Sequence, residues 1–511
     1  MNSAAGKRIV ASAVLIATLA QGACVTLGPD FEEPDVAWLS EWQSDLYGQV
    51  GQPEQQAQTD LRFWTQIFND PVLNGLIETA RRENPSLQVA GLRILESRAV
   101  LGIAGSGRYP QLQRATGSVA YVNEQQSGGA APRDQEFTSY QAGFELGWEL
   151  DFWGRFRRSI ESANAAYLAS VTAQQDVQVL LSAQVADLYF AYRTTRQRIE
   201  MTRYNAGLQK RSLEITRQIF EAGEDSELDV QQAKTQYLST LAVIPDLEAT
   251  LIRLRNALAA LLGRTPDNLP ELESVAGELP AIEPLLIQGI PSELLLRRPD
   301  VRSSAWRIAA QSAQIGVAKA DYFPAISLLG TIGWAGSSLE GASDTTSLVA
   351  GPALTWNLFD YGRIRNNVRL QDARLQQAIV LFQDDVLQAA REIDDAAIGV
   401  VKTGEQNVIL KESLKAAERS LDIANTQFQE GHADFQRVLD AQLALFVQAE
   451  RELLNQGAHF SAVIALYRSI GGGWTDMSME QMIPESMRDT MRNRTNWGDL
   501  LEEPLPAESK P

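Results

Sequence analysis

Two stretches of this chain superimpose on one another, and that repetition limits the possible folds more than any other feature. Residues 212–223 read SLEITRQIFEAG and residues 420–431 read SLDIANTQFQEG, which pairs Ser212 with Ser420, Ile215 with Ile423, Phe220 with Phe428 and Gly223 with Gly431. The same 208-residue offset pairs Leu146, Trp148, Leu150, Gly154 and Arg155 with Leu354, Trp356, Leu358, Gly362 and Arg363. Upstream the offset becomes 214 and pairs Pro85, Arg93, Gly102 and Pro110 with Pro299, Arg307, Gly316 and Pro324, so a six-residue difference lies between Pro110 and Leu146. A register held over such a span marks an internal duplication, and a repeat of this kind sets the architecture. At 511 residues the chain is too long for one ordinary core, yet it shows no clean break into two.

Each copy reads in the same order: a helix ending near Gly102 or Gly316, an extended hairpin, a long helix, a glycine turn at Gly223 or Gly431, and a return helix. Period-two alternation puts Tyr140, Ala142, Phe144, Leu146, Trp148 and Leu150 on one face and Gln141, Gly143, Glu145, Gly147 and Glu149 on the other. The second copy repeats the apolar face with Leu348, Ala350, Pro352, Leu354, Trp356 and Leu358, after a strand carrying Ile326, Leu328, Ile332 and Trp334. Strands of about 9–11 residues with one apolar and one wet face suit a membrane β-barrel. The edge of a soluble β-sandwich gives the same alternation.

From about Phe156 to Phe220 there is no proline and almost no glycine, which predicts one helix of about 100 Å. Its copy, from about Ile364 to Phe428, carries Leu410, Leu414, Ala417, Leu421, Ala424 and Phe428 at the 3.5-residue period of a coiled-coil seam. Pro245 predicts a kink or local break in the first return helix, because it removes a donor and clashes with the preceding turn; the second return helix has Leu453 there.

Lys7-Arg8 followed by the apolar stretch Ile9 to Ala20 reads as a signal peptide over residues 1–23, too short to span a bilayer. Gln21-Gly22-Ala23-Cys24 resembles a lipobox, with Gln21 where Leu is usual. Either Cys24 is acylated and tethers the mature chain, or this is an ordinary secretory signal followed by an incidental cysteine. Both readings take the protein out of the cytoplasm. The sequence holds no run of about 18 apolar residues for a transmembrane helix.

A net charge of −19 argues against nucleic acid as a partner. Two histidines, His432 and His459, and a single cysteine argue against a His/Cys metal site and an intrachain disulfide. Gly102, Gly105 and Gly107 end a helix ahead of a strand, the reverse of a dinucleotide-binding loop. Arg155, Arg157 and Arg158 read either as a membrane-rim cluster or as solvated residues at a helix start. Neither His432 nor the Glu224-Asp225 pair has the partners of a catalytic constellation, so no enzyme activity and no cofactor are expected.

Four membrane strands cannot close a barrel, and open edges in hydrocarbon leave backbone groups unsatisfied, so the barrel must be shared between chains. Two copies reach the minimum of about eight strands and three give about twelve.

The residues resemble the TolC-like outer-membrane efflux channels, and within them the NodT-type lipoprotein subunits of resistance-nodulation-division pumps. The resemblance rests on Pro29-Asp30-Phe31-Glu32-Glu33-Pro34, Phe63-Trp64 with Phe68 and Asp70, Trp148 through Arg155, Pro291 through Asp300, Phe323-Pro324 and Gly471-Gly472-Gly473-Trp474. It implies a mainly α fold with β: a duplicated unit, a coiled-coil helical barrel and four membrane strands per protomer, with twelve strands in a homotrimer. It further implies an outer-membrane location, a periplasmic adaptor, an inner-membrane pump, and passive export of drugs or other small molecules. An outer-membrane channel of type I protein secretion is the nearer alternative; a structural periplasmic coiled-coil lipoprotein or adaptor is the alternative of another class. On this reading the chain divides into a signal peptide (1–23), a lipidated N-terminal and equatorial segment (24–70), a first repeat (71–262), an inter-repeat segment (263–296), a second repeat (297–470) and an equatorial tail (471–511). The resemblance places a periplasmic gate around the tip turns Gly223 and Gly431. Asp440 falls on a family aperture aspartate, with Asp229 and Phe428 as further gate candidates, while Ala433 and Arg437 depart from the family latch.

Overall fold

The computed structural model describes residues 26–42, 44–50, 65, 67–126, 133–223, 226–266, 269–273, 279–280, 282, 291–337 and 345–506. In chain order these form helices α1 (Pro71–Glu83) and α2 (Pro85–Ser106), strands β1 (Leu112–Gln126) and β2 (Arg133–Glu149), and helices α3 (Arg155–Glu221) and α4 (Glu227–Leu261). A second series follows: α5 (Pro291–Arg297), α6 (Pro299–Ala320), β3 (Ala325–Gly336), β4 (Thr345–Thr355), α7 (Arg363–Gln429) and α8 (Phe435–Ser469), then the short tail helices α9 (Met479–Met482) and α10 (Glu485–Arg494). The duplication is visible in the lengths: α2 and α6 have 22 residues each, α3 and α7 have 67, and α4 and α8 have 35.

Local sequence sets the ends of these helices. Gly154 (φ 75) and Gly362 (φ 86) hold the left-handed backbone that turns each strand exit into a long helix, a conformation costly for a residue with a Cβ. Asp70 and Asn84 cap α1 and α2 by accepting backbone N–H bonds, and proline occupies the first turn of each, where no donor is missed. Helix α4 runs through Pro245 as one helix, so of the expected kink or local break the break does not occur. Pro245 lies on its exposed face, where water can take the freed carbonyl, while Leu247 and Leu258 on the other face are buried.

Although α3 and α7 are copies, 28 of the 67 residues of α3 are buried against 10 of the 67 of α7. Near the sheet α3 packs between α2 and α6; farther away it packs between α4 and α8. Helix α7 packs mainly on α6 and α8, with smaller contacts to α5 and to Tyr47 and Gln49 of the N-terminal segment, so it forms one flank of the helical wall. The main apolar cluster sits where the wall is thickest, around Phe68, Phe190 and Phe460, with the last two rings stacked at 4.1 Å.

All four strands join one antiparallel sheet in the order β1-β2-β3-β4. The first pair is longer than expected, at 15 and 17 residues against 12 and 11 for the second. One of the six extra residues is Gln111, after which the strand match becomes Gly117, Val119 and Tyr121 with Gly330, Ile332 and Trp334. The Gln111 side chain donates to Gly107 O and Glu149 O and accepts from Glu149 N, so the amide stands in for a strand neighbour at the sheet's base.

Two buried arginines each tie one half together. Arg193 donates to Asp70, which also accepts from the Tyr189 hydroxyl at 2.7 Å. Arg298 donates to Asp300, Glu392 and the carbonyl of Ser469, tying α6, α7 and the end of α8 together. Beside Arg298, Asp176 of α3 lines a cavity of about 230 Å³ with Asp300, Glu392 and Arg468. Burial pushes the Asp176 carboxyl up to about 6, with repulsion from Asp300 and Glu392 added and attraction to Arg298 and Arg307 opposing it. A carboxyl raised in the folded state destabilises the fold above that pH and ceases to as pH falls through it. Asp176→Asn is therefore expected to stabilise the folded protein by about 1–3 kcal/mol at pH 8, with the gain gone near pH 4, as read from denaturation midpoints at both pH values.

Candidate functional site

The sheet has an unusual pair of surfaces for a protein exposed to water. Its registers align Ala115, Phe144, Ile332 and Leu348 in one row across all four strands, with Leu328, Leu146 and Leu354 on the same face. Phe144, Leu146, Leu328, Ile332, Leu348 and Leu354 are all exposed. The opposite face carries Arg114 paired with Glu145, along with Thr116, Ser118, Gln141, Thr331 and Ser347. Among the described residues, no strand lies beside the outer edges of β1 and β4. A sheet with one apolar face, one polar face and two open edges is a segment of a membrane barrel.

At the base of the sheet the N-terminal arm is clamped to the repeats. Arg158, almost fully buried, donates to the carbonyls of Leu27 and Gly28 and to Asp30 and Glu161. Gly28 lies so close to Gly316 that a Cβ there would come within 2.5 Å of its Cα. Of the three arginines read as either a rim cluster or a solvated helix start, Arg155 pairs with Asp321 and Arg157 with Asp151, so all three are bonded within the protein. This clamp was not read from the sequence; its one local signal is Gly28, with φ 94. Cys24 lies outside the described residues, as do Phe63-Trp64 and Glu224-Asp225.

The other end of the molecule is the tip formed by the α3–α4 and α7–α8 turns. Gly223 (φ 82) and Gly431 (φ 73) adopt the expected left-handed backbone, and nothing lies within 4 Å of a Cβ placed at either. Ala233, Ala424, Phe435, Val438, Leu439 and Ala441 form a small apolar cluster, with Leu213, Leu421 and Phe428 packed against it. Phe428 stacks at a tilt on Phe435 with centroids 5.1 Å apart, a seam contact. Asp229 accepts from the Ser226 hydroxyl at 2.8 Å at the start of α4, an N-terminal capping arrangement. Asp440 is exposed and accepts from Gln436 at 3.0 Å. The structure thus brings the five tip and gate candidates, Gly223, Gly431, Asp229, Phe428 and Asp440, to one end, and of the two carboxylates Asp229 has a capping role and Asp440 does not.

Residues 76–264 and 290–472 match the family of outer membrane efflux proteins. The chain belongs to that family. It is 30% identical over 474 residues to the toluene efflux pump outer membrane protein TtgI of Pseudomonas putida, covering 90% of this chain and 98% of that relative. With the outer membrane protein OprJ of Pseudomonas aeruginosa it shares 31% identity over 478 residues, covering 91% and 96%. The solved structure of the outer-membrane channel OprN superimposes with a TM-score of 0.80 at 32% identity, covering 88% of this chain and 99% of OprN. The chain is thus an outer-membrane channel component of an efflux system with a TolC-like fold, and the sheet is its membrane segment.

The two kinds of tip residue differ in what their loss should do. Phe435→Ala is expected to cost about 3–5 kcal/mol through the cavity it leaves. Gly431→Ala meets no clash and should cost only about 1–2 kcal/mol of backbone strain. Limited proteolysis at the tip would then be much faster in Phe435→Ala than in Gly431→Ala.

Proposed function

We propose that three copies of this chain assemble into a passive duct: twelve strands close a barrel in the outer membrane, and the long helices continue it across the periplasm. The observation that carries this reading is the exposed apolar face of a four-stranded sheet with both edges open, joined directly to helices of 67 residues. Neither an adaptor nor a purely structural coiled coil has use for such a face. In the assembly the tip docks a periplasmic adaptor that links it to an inner-membrane pump of the resistance-nodulation-division type, and the duct subunit performs no chemistry of its own. The cargo is small molecules, in keeping with relatives named for toluene, solvent and cation efflux.

Acylation of Cys24 fits the clamped arm. Leu27 donates to the carbonyl of Trp153, and Thr26 lies against Gly154, at the junction of sheet and helix. Cys24 is two residues farther along the chain, within a reach of about 7 Å of that junction. Cys24→Ser is expected to abolish incorporation of labelled palmitate; retained label contradicts the anchor.

At the tip, three symmetry-related Asp440 carboxylates would repel one another and attract cations, constricting the entrance. Asp440→Ala is expected to raise single-channel conductance in planar bilayers, and an unchanged value removes Asp440 from the gate. A strain lacking the protein should become more susceptible to drugs or solvents. Unchanged susceptibility with a secreted protein retained in the cell would point to type I secretion instead.

A further inference from the structure

The polar face of the sheet contains one row that is not polar. The registers set Leu112 opposite Gly147, Gly147 opposite Leu329, and Leu329 opposite Gly351, so leucine and glycine alternate across all four strands. These residues share the side of Glu145 and Thr331, because strand side chains alternate with a period of two. The row of Arg114, Glu145, Thr331 and Val349 flanks it on one side, and Glu149, Ser327 and Ala353 on the other. Val349 lies diagonally beside Leu329 and extends the apolar patch. A second apolar pair on this face, Val122 opposite Phe137, spans β1 and β2 only.

The two leucines lean toward one another. A Cβ placed on Gly147 would come within 3.2 Å of Leu112 Cβ and 3.6 Å of Leu329 Cδ2, so the glycine lets both side chains lie over one bare stretch of backbone. Beyond Leu329, nothing lies within 4 Å of a Cβ at Gly351, which leaves a shallow recess beside the leucine. Leu112 stays 40% exposed, Leu329 49% and Val349 66%. Gly147 and Leu329 belong to β2 and β3, the two inner strands of the sheet. A neighbouring copy that pairs along the outer edges does not reach them.

We propose that this row is a lumen site for the apolar part of the exported molecule. The proposal rests on the shared-barrel reading above, which turns this face inward and repeats the row in each copy as a ring. Leu112 opens β1, so the ring lies at the helical end of the barrel. With strands about 4.8 Å apart and tilted by about 40°, a barrel of twelve is about 24 Å across between backbones, so a small molecule passes along one wall rather than filling the bore. An alkyl or aryl group laid over the leucines and the recess at Gly351 displaces water from apolar surface, which favours it over a hydrated ion. No side chain in the row donates or accepts a hydrogen bond, so it selects by apolar surface alone. The charged pair beside it, Arg114 with Glu145, is neutralised internally. A half-exposed row holds cargo weakly enough to release it, as conduction requires.

Block of single-channel current by tetraalkylammonium ions, added on the barrel side of the full-length protein in planar bilayers, tests the site, because chain length changes apolar surface at constant charge. Tetrabutylammonium is expected to block at about tenfold lower concentration than tetramethylammonium, the effect of covering about 60 Å² of apolar surface. The double variant Leu112→Ser with Leu329→Ser should bring the two ions within about twofold of each other, with the unblocked conductance and native oligomer mass unchanged. Leu329→Ser alone should fall between, and Leu329→Met, which keeps the apolar volume, should retain the preference. Equal block by the two ions in the unsubstituted channel, or a chain-length preference that survives both serine substitutions, overturns the lumen site and leaves the shared barrel standing. A monomeric protein that forms no channel overturns both.

Discussion

Every other feature of this protein follows from the backbone groups along the outer edges of β1 and β4. In water an open edge is a nuisance; in hydrocarbon each unsatisfied N–H or carbonyl costs several kcal/mol. The exposed row of Phe144, Ile332 and Leu348 commits the sheet to hydrocarbon, so the edges must be closed by pairing. Four strands cannot do this alone. Closure by other copies, as proposed, would carry over to the helices, since Gly154 and Gly362 turn each strand exit straight into a 67-residue helix.

The same constraint explains why two halves of one design differ. Helix α3 has neighbours on both sides and carries buried glutamines, serines and threonines; Gln178 and Ser182 bond to the C-terminal tail and Ser212 to Gln442 of α8. Helix α7 stands at a flank and keeps apolar residues uncovered along it, among them Leu381, Val408 and Ile409. Their inequality is what a segment of a ring looks like when cut out at one seam.

The repeat, the alternation of the strands and the glycine turns were legible because each is a local or periodic signal. The expected helix from Phe156 to Phe220 falls one residue short at either end, and the lower part of the seam, Leu421, Ala424 and Phe428, packs on Phe435, Val438 and Leu439 of α8. What pairs across hundreds of residues was not legible. Nothing near Arg298 announces that it bonds to Glu392 and Ser469, and Arg158, read as a rim or solvated residue, is buried under the N-terminal arm. At Pro245 the break, one of the two expected outcomes, does not occur, because packing of the buried Leu247 and Leu258 holds the helix across it. At the tip, residue type alone could not separate a capping carboxylate, Asp229, from an exposed one, Asp440; the difference lies in Ser226.

The central claim is that the sheet is a fragment completed only by other copies of the chain. Single-particle reconstruction of the full-length protein in lipid nanodiscs tests it most directly. The account predicts three copies around one closed barrel of twelve strands, with every β4 edge hydrogen-bonded to a neighbouring β1. A particle in which a β1 or β4 edge faces lipid unpaired would contradict it.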